Sequence, residues 1–427
     1  MTLASFFRNR WWIVFASVLG LIVGAGSINV FAIGVFMKPI SDDLGLGRGV
    51  ISSAAGMTSI ISAIASPFFG KMIDKWGIRP VFLPSIALFA VAVAALSFLQ
   101  ASPAYLYLLF AIVGLTSVGQ TPAAYSKAIS AWFDKDRGLA LGIALAGVGL
   151  GTALVPQLSQ FLIGSFGWRG AYIGLGIAIL LLAFVPCAVF IREPASSGEA
   201  KAEVQPQRAA SGLTLSEAMT ESWRYWALTI AFFLGAASIN GVLTHVVPLL
   251  TDRGLPVAVA VGALSFSGVA IIVGRIFSGY CLDKIFGPYV AIAFFLCPLA
   301  GIGLLYSGMA GSVPLIGTIL CGFGIGAEFD MMAFFVSRYF GMKSFGALYG
   351  LMFGISQIGN AVGSNIMGWS FQILHSYAPA FVVFVAALAV TCLLFLPLGP
   401  YPFRPATQIK PKPSAVASGV QTPESTT

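Results

Sequence analysis

Apolar residues in this chain come in long blocks separated by short polar or basic stretches, and the blocks match the ~20 residues that an α-helix needs to cross a hydrocarbon core. Read at that length, the pattern predicts twelve spans: 12 to 38, 50 to 72, 80 to 100, 104 to 132, 138 to 163 and 168 to 191, then 225 to 250, 257 to 282, 288 to 308, 312 to 340, 345 to 373 and 378 to 401. The expected fold is an all-α membrane protein with twelve transmembrane helices in two pseudo-symmetric halves. One long polar insertion, Arg192 to Arg224, interrupts the series after the sixth span. It predicts a six-helix bundle over 1–192, a flexible cytoplasmic linker over 193–224 and a second six-helix bundle over 225–402. The end of the linker, LTLSEAMTESWR, predicts a short amphipathic helix lying on the membrane, and the tail over 403–427 is expected to be disordered.

The two sets of six spans repeat one another. GKMIDKWGIRP at Gly70 to Pro80 returns 209 residues later as GYCLDKIFGP, from Gly279 to Pro288. GAGSIN at Gly24 to Asn29 returns as GAASIN at Gly235 to Asn240, and SAWFDKDRGLALG from Ser130 returns as SRYFGMKSFGALYG from Ser337. Each copy holds an even number of spans, so both run the same way through a bilayer, as in transporters whose site lies between repeats.

Composition supports the pattern: 58% of residues are hydrophobic and 9% charged, against roughly 25% charged in a typical soluble domain. The net charge of +8 does not imply nucleic acid, because the basic residues sit in short loops. With the N-terminus inside, 18 of the 23 Lys and Arg fall on the cytoplasmic side; Lys38, Arg48, Arg169 and Arg253 fall outside, and Arg275 falls in a span. Both termini are therefore expected in the cytoplasm. Arg8 and Arg10 precede a run too long for a signal peptide, so an uncleaved first helix is expected. Cys187, Cys281, Cys297, Cys321 and Cys392 all fall in spans without CxxC or CxxH spacing, which predicts small buried hydrophobes and no metal. There is no GxxxxGK[ST], so transport driven by the chain's own ATP hydrolysis is not expected, nor is any enzymatic activity or cofactor.

Charges inside spans carry the chemistry. Each costs at least ~2.5 to 3.5 kcal/mol near the bilayer centre and is kept only with a partner, a wet cavity or a function. Arg275 lies eight residues before Asp283, ~12 Å deep at ~1.5 Å per residue. Glu328 and Asp330 lie at a similar depth in span 10, about 200° apart around the helix, so one of them is expected to face the cavity. Arg275 reads either as a cation for a substrate carboxylate, for which a guanidinium supplies a planar fork, or as half of a permanent salt bridge. Glu328 and Asp330 read either as the proton site or as structural carboxyls. His245, near the outer end of span 7, reads as an interfacial hydrogen-bonded histidine or as a titrating gate.

Several stretches resemble the major facilitator superfamily: GKMIDKWGIRP between spans 2 and 3, RWWIVFASVLG entering span 1, WFDKDRGLALGIALAGVGLG from span 4 into span 5, GWRGAY, HVVPLLTDRGL, and AEFDMMAFFVSRYFGMKSFGALYGLMFG across spans 10 and 11. Together they are similar to its bacterial monocarboxylate transporter branch, close to the oxalate/formate antiporter group. The resemblance implies two domains rocking about a central site, with an arginine in helix 8 four residues before a glycine, matched by Arg275 and Gly279. It implies a cytoplasmic gate motif, carried here by Gly70, Asp74, Lys75 and Arg79, with Asp283 and Lys284 as its second copy. On spans that line the cavity in this superfamily, it implies neutral substrate contacts at Asn29, Gln120 and Tyr125, and at Asn240, Thr244, Ser356, Gln357 and Asn360. The chain departs from the family at Phe31, where some members have lysine, and at Ile271, where some have an acidic residue. The sister group's second cation in helix 11, near Ser356, has no counterpart between 345 and 373. Lys127 is the other basic candidate, close enough to the cytoplasmic interface to snorkel.

The expectation is a secondary transporter, proton-coupled for a small monocarboxylate of the lactate or pyruvate type. Organic-anion exchange is the alternative, and a non-transporting membrane sensor is disfavoured because no signalling domain is attached. The expected partners are a small carboxylate, a proton and the lipid bilayer, with no obligate protein partner.

Overall fold

The computed structural model describes residues 9–130, 132–133, 137–191, 212–309, 311–341 and 343–403. These form helices throughout, with one isolated β-bridge between Gly212 and Gly341. In hydrocarbon a helix satisfies its own backbone donors and acceptors, which open strands cannot do. The first half comprises α1 (Trp11–Leu44), α2 (Arg48–Trp76), α3 (Ile78–Ala95), α4 (Pro103–Ile129), α5 (137–166) and α6 (168–190). The second comprises α7 (Trp223–Asp252), α8 (Val257–Lys284), α9 (Gly287–Tyr306), α10 (Val313–Tyr339), α11 (Phe345–Leu374) and α12 (Ala378–Phe395).

Ten helical runs are long and apolar enough to cross a membrane. The count falls short of twelve for two physical reasons. α5 and α6 join into one run of 52 residues, turned back at Gly167, whose φ of 70° suits a residue without Cβ. α11 has the length, but Ser356, Gln357, Asn360, Ser364 and Asn365 dilute its hydropathy. The first span also runs further than its apolar pattern, to Leu44, and holds a π-helical stretch over Ser27–Ala32. α4 is broken by a 3-10 turn at Ser117–Gln120 and an extended Thr121.

Each half has its own apolar core. Phe31 and Val35 of α1 are exceptions, packing into the second half's core. The halves meet along α2 with α11 and α5 with α8, pairs that the internal repeat makes equivalent, and along α1 with α7. The predicted amphipathic helix is present at Leu215–Glu221, opened by a capping box in which Thr214 Oγ1 accepts from the Glu217 N–H. Leu213, Leu215 and Met219 pack against the second half, and the Leu213 N–H donates to the Phe340 carbonyl at 2.8 Å. The rest of the linker and the tail beyond Phe403 lie outside the described residues. The end at which α1 begins is called the inner end below.

Candidate substrate and proton site

Glycines build the site by letting two backbones touch. A Cβ at Gly322 of α10 would stand 2.4 Å from the Ser267 carbonyl of α8, and one at Gly326 would stand 2.2 Å from the Ile271 carbonyl. Small residues at such crossings are what allow membrane helices to approach closely. The close approach brings Arg275 beside Asp330, with Nε 3.5 Å from Oδ2. That is ion-pair distance, longer than a good hydrogen bond. Arg275 Nε has no hydrogen-bond partner. The Arg275 side chain is 14% exposed and that of Asp330 35%, so the pair opens to one side.

Glu328 differs from its neighbour. It is 0% exposed, and neither carboxyl oxygen has a hydrogen-bond partner. Asp330 is thus the carboxylate that meets the arginine and the more open side of α10, while Glu328 sits inside the protein. Tyr349 of α11 lies within electrostatic reach of Asp330, Arg275 and Glu328 together. Its ring stacks between Phe345 and Phe353, at 5.8 and 6.1 Å between centroids, and Phe353 meets Phe329 of α10 at 5.3 Å. Sequence reasoning missed this aromatic column; its spacing of four residues along α11 was the available signal.

The neutral candidates divide. Gln357 and Asn360 are half-buried and bonded to each other at 2.8 Å, leaving Asn360 Oδ1 without a partner. Asn29 is half-buried on the π-helical stretch of α1. Asn240 is buried and donates to the Ala236 carbonyl, and Thr244 is buried where α7 meets Gly34 of α1. Gln120 and Tyr125 do not reach the opening. Both are 0% exposed in the first half's core, where the Tyr125 hydroxyl donates to Gln120 Oε1 at 3.0 Å. That bond pairs the hydroxyl with the amide oxygen, as burial demands, and leaves Gln120 Nε2 without a hydrogen-bond partner. Ser356 is likewise enclosed, donating to the Phe353 carbonyl.

The bonds that cross between halves gather at the outer end. Arg48 of α2 forms a two-pronged pair with Asp252 of α7 and donates to the Tyr377 hydroxyl at 2.8 Å, while Lys38 of α1 reaches Asp252 at 3.0 Å. Gln372 accepts from the Gly49 N–H at 2.9 Å, and Ser53 bonds Asn365. His245 is fully buried, its Nε2 3.0 Å from Ser52 Oγ and 3.1 Å from the Ser364 carbonyl. It is hydrogen-bonded and seated between the halves. Lys38, Arg48 and Arg169 were exceptions to the charge rule, and all three are ion-paired, Arg169 to Asp43 within the first half. At the inner end, gate-motif residues bond within their own half: Lys127 Nζ donates to the Gly70 carbonyl at 3.0 Å, Arg79 to the Ala188 carbonyl at 2.7 Å, and Lys284 to the Tyr280 hydroxyl at 2.6 Å. Lys75 lies 5.7 Å from the Trp76 ring centroid and Asp283 is exposed, while the side chain of Asp74 lies outside the described residues.

Two repeated six-helix halves, with Arg275, Glu328 and Asp330 inside membrane-length helices of the second, define a multi-pass membrane transporter. The chain belongs to the Major Facilitator Superfamily, whose family model matches residues 19–364. Among curated relatives, it is 30% identical over 262 residues to monocarboxylate transporter 11 of Mus musculus, which covers 60% of this chain and 56% of that one, about half of the relative's length. It is 26% identical over 424 residues to the oxalate:formate antiporter of Oxalobacter formigenes, covering 96% of both. Among solved structures, its fold is similar to that of a bacterial homologue of the human lysosomal transporter Spinster, with TM-score 0.67 at 16% identity over 90% of this chain and 96% of that one.

Proposed function

We propose that the chain is a proton-coupled transporter of small monocarboxylates, worked by alternating access. The observation that carries this reading is the Arg275–Asp330 pair: a guanidinium within a span, held 3.5 Å from a carboxylate that is one-third exposed. A substrate carboxylate competes with Asp330 for the same fork. Arg275 receives it, and Asp330, released, takes up the proton that keeps the site neutral, since an uncompensated charge at low dielectric costs several kcal/mol. Glu328, buried without a partner, is the second candidate for that proton. The neutral contacts proposed around the anion are Asn29, Gln357 and Asn360. The inter-half bonds at the outer end support an inward-facing state, with the inner end towards the cytoplasm of a bacterial inner membrane. In this reading the units are 1–192 and 225–402, rocking about the 193–224 linker.

Exchange of organic anions is the second reading, favoured by the end-to-end match to the oxalate:formate antiporter. Uptake of labelled lactate into proteoliposomes under an imposed pH gradient separates the two. Symport gives accumulation driven by the gradient, and Asp330→Asn or Glu328→Gln abolishes that accumulation while sparing exchange. Accumulation that needs internal anion and ignores pH in the wild type sinks the symport reading.

A further inference from the structure

The buried ring of His245 on α7 is enclosed by α2, by α11 and by the turn that leads into α12. Its Nε2 lies 3.1 Å from the Ser364 carbonyl. A carbonyl oxygen can only accept, so Nε2 carries the hydrogen. The Ser52 hydroxyl, which donates to the Arg48 carbonyl at 2.7 Å, offers its lone pair to the same N–H across 3.0 Å. Nδ1 is then the bare nitrogen, and it has no hydrogen-bond partner. A neutral ring satisfies its one donor here. A protonated ring would carry a second N–H, on Nδ1, with nothing to receive it and a buried charge besides.

The groups around the ring make no place for that charge. α2 presents the Arg48 guanidinium, within electrostatic reach of the imidazole. The turn before α12 presents the Tyr377 ring, edge-on at 5.7 Å between centroids, and α11 presents the Ser364 carbonyl. On the α1 side, Gly34 packs against the carbonyl of the neighbouring Thr244. On its own helix the carboxylate is Asp252, about two turns outward, and Arg48 and Lys38 already share it. The packing is close as well: a Cβ at Gly368 of α11 would lie 2.4 Å from Ser52 Oγ. Because the contact of His245 with Ser52 joins one half to the other, it exists only while the outer end is shut.

We propose that His245 is a second proton site, separate from Arg275 and Asp330: its Nδ1 takes a proton from the outer solution when the seam parts, and must release it before the seam closes again. A proton from outside then holds the transporter open to the outside. The sign follows from the two states. The open seam admits both forms of the ring and the closed seam only the neutral one, so closure is fully available above the ordinary histidine range and is lost as pH falls below it. A free imidazole titrates near ~6.5, and each pH unit below that multiplies the open-to-closed ratio by about ten. The proposal rests on alternating access and on no reading of the substrate.

The sequence holds two histidines, His245 and His375, so imidazole 15N spectra of the full chain in nanodiscs contain two rings, which His375→Gln tells apart. At about pH 7.5 the His245 ring is the neutral Nε2–H form; an Nδ1–H form there overturns the geometry. Spin labels at Ala101→Cys and Met309→Cys, in outer loops of the two halves, read the opening, with the half-buried Cys297 and Cys392 changed to alanine. Between about pH 7.5 and 5.5 the open-to-closed ratio rises about tenfold as His245 becomes imidazolium. In His245→Gln, whose amide keeps a donor for the Ser364 carbonyl and takes no proton, the ratio stays flat. Acid reaches Asp330 and Glu328 in the same samples, and both are unchanged in His245→Gln. An equal rise in that variant therefore overturns the proposal. So does a His245 ring that stays neutral in acid when Arg48→Gln has opened the outer end. If His245→Gln does not fold, the wild-type spectra and distances decide alone. A distance that moves in Arg48→Gln but not with acid in the wild type sinks the proton site and leaves alternating access standing. A distance that moves in neither sinks both.

Discussion

At the scale of single residues, Arg275 carries the most specific demand. A lysine keeps its charge but loses the planar fork, so Arg275→Lys should lower uptake by at least about tenfold, ~1.4 kcal/mol of recognition. Uptake in proteoliposomes checks this, with membrane yield and elution profile showing that the variant still inserts and folds; wild-type uptake would sink the two-pronged contact. Arg275, Glu328 and Asp330 were legible in the sequence because a charge in an apolar run is expensive enough to need a reason. Which carboxyl meets the arginine was not legible, since helical phase fixes their separation and not the direction of the cavity. Gln120 and Tyr125 lie buried in the first half for a related reason. Polar side chains in a span announce a partner, and here each is the other's partner. Arg48 and Asp252 went unseen because 204 residues separate them, although Arg48 had already stood out against the charge rule.

At the scale of elements, helix pairs are held by backbone contact. A Cβ at Gly322 would stand 2.4 Å from the Ser267 carbonyl, whereas one at Gly303 meets nothing within 4 Å. Gly322→Ala should therefore destabilise by about 1–3 kcal/mol, the usual cost of overpacking, and lower the melting temperature in detergent, while Gly303→Ala should leave it unchanged. Equal melting of the two would show that α8 and α10 can part at no cost. The surface helix Leu215–Glu221 makes a pH prediction. The Thr214 backbone N–H and hydroxyl both bond Glu217 and hold its carboxyl below the ordinary glutamate range. A lowered carboxyl pKa adds stability above the ordinary value, and that support is lost as pH falls through the lowered one. Proteolysis between Leu213 and Glu221 should therefore quicken in acid, and Glu217→Gln should remove that acid dependence. The helices themselves were legible from apolar length. The π-helical turn at Ser27–Ala32 was not, because the same residues serve either winding and packing against a neighbour decides.

For the whole molecule, the asymmetry between halves sets selectivity. The repeat duplicates the helices, yet the intramembrane charges Arg275, Glu328 and Asp330 all lie in the second half. With one cation, a second substrate carboxylate has no partner, and monocarboxylates should outcompete dicarboxylates of similar size by at least about tenfold. Competition of labelled lactate uptake by acetate, oxalate, malonate and succinate measures this. Ser356, the position expected for a second cation, is enclosed, so a lysine there would bury a charge. The half-buried Gln357 is the better place, and Gln357→Lys should narrow the gap. Equal competition in the wild type would mean that another group pairs the second carboxylate.

The placement of the Arg275–Asp330 pair wholly within one half has an electrical consequence. If substrate replaces Asp330 at the guanidinium and a proton neutralises the freed carboxyl, the empty and the loaded site carry the same net charge, zero. A lone charge crossing the bilayer would feel about 2.3 kcal/mol per 100 mV; this site would feel almost none of it. A potassium diffusion potential set with valinomycin should therefore leave the rate of lactate uptake unchanged, at fixed pH gradient, in either polarity. A rate that follows the voltage would mean that a charge travels unescorted, and that proton and anion do not move as a neutral couple.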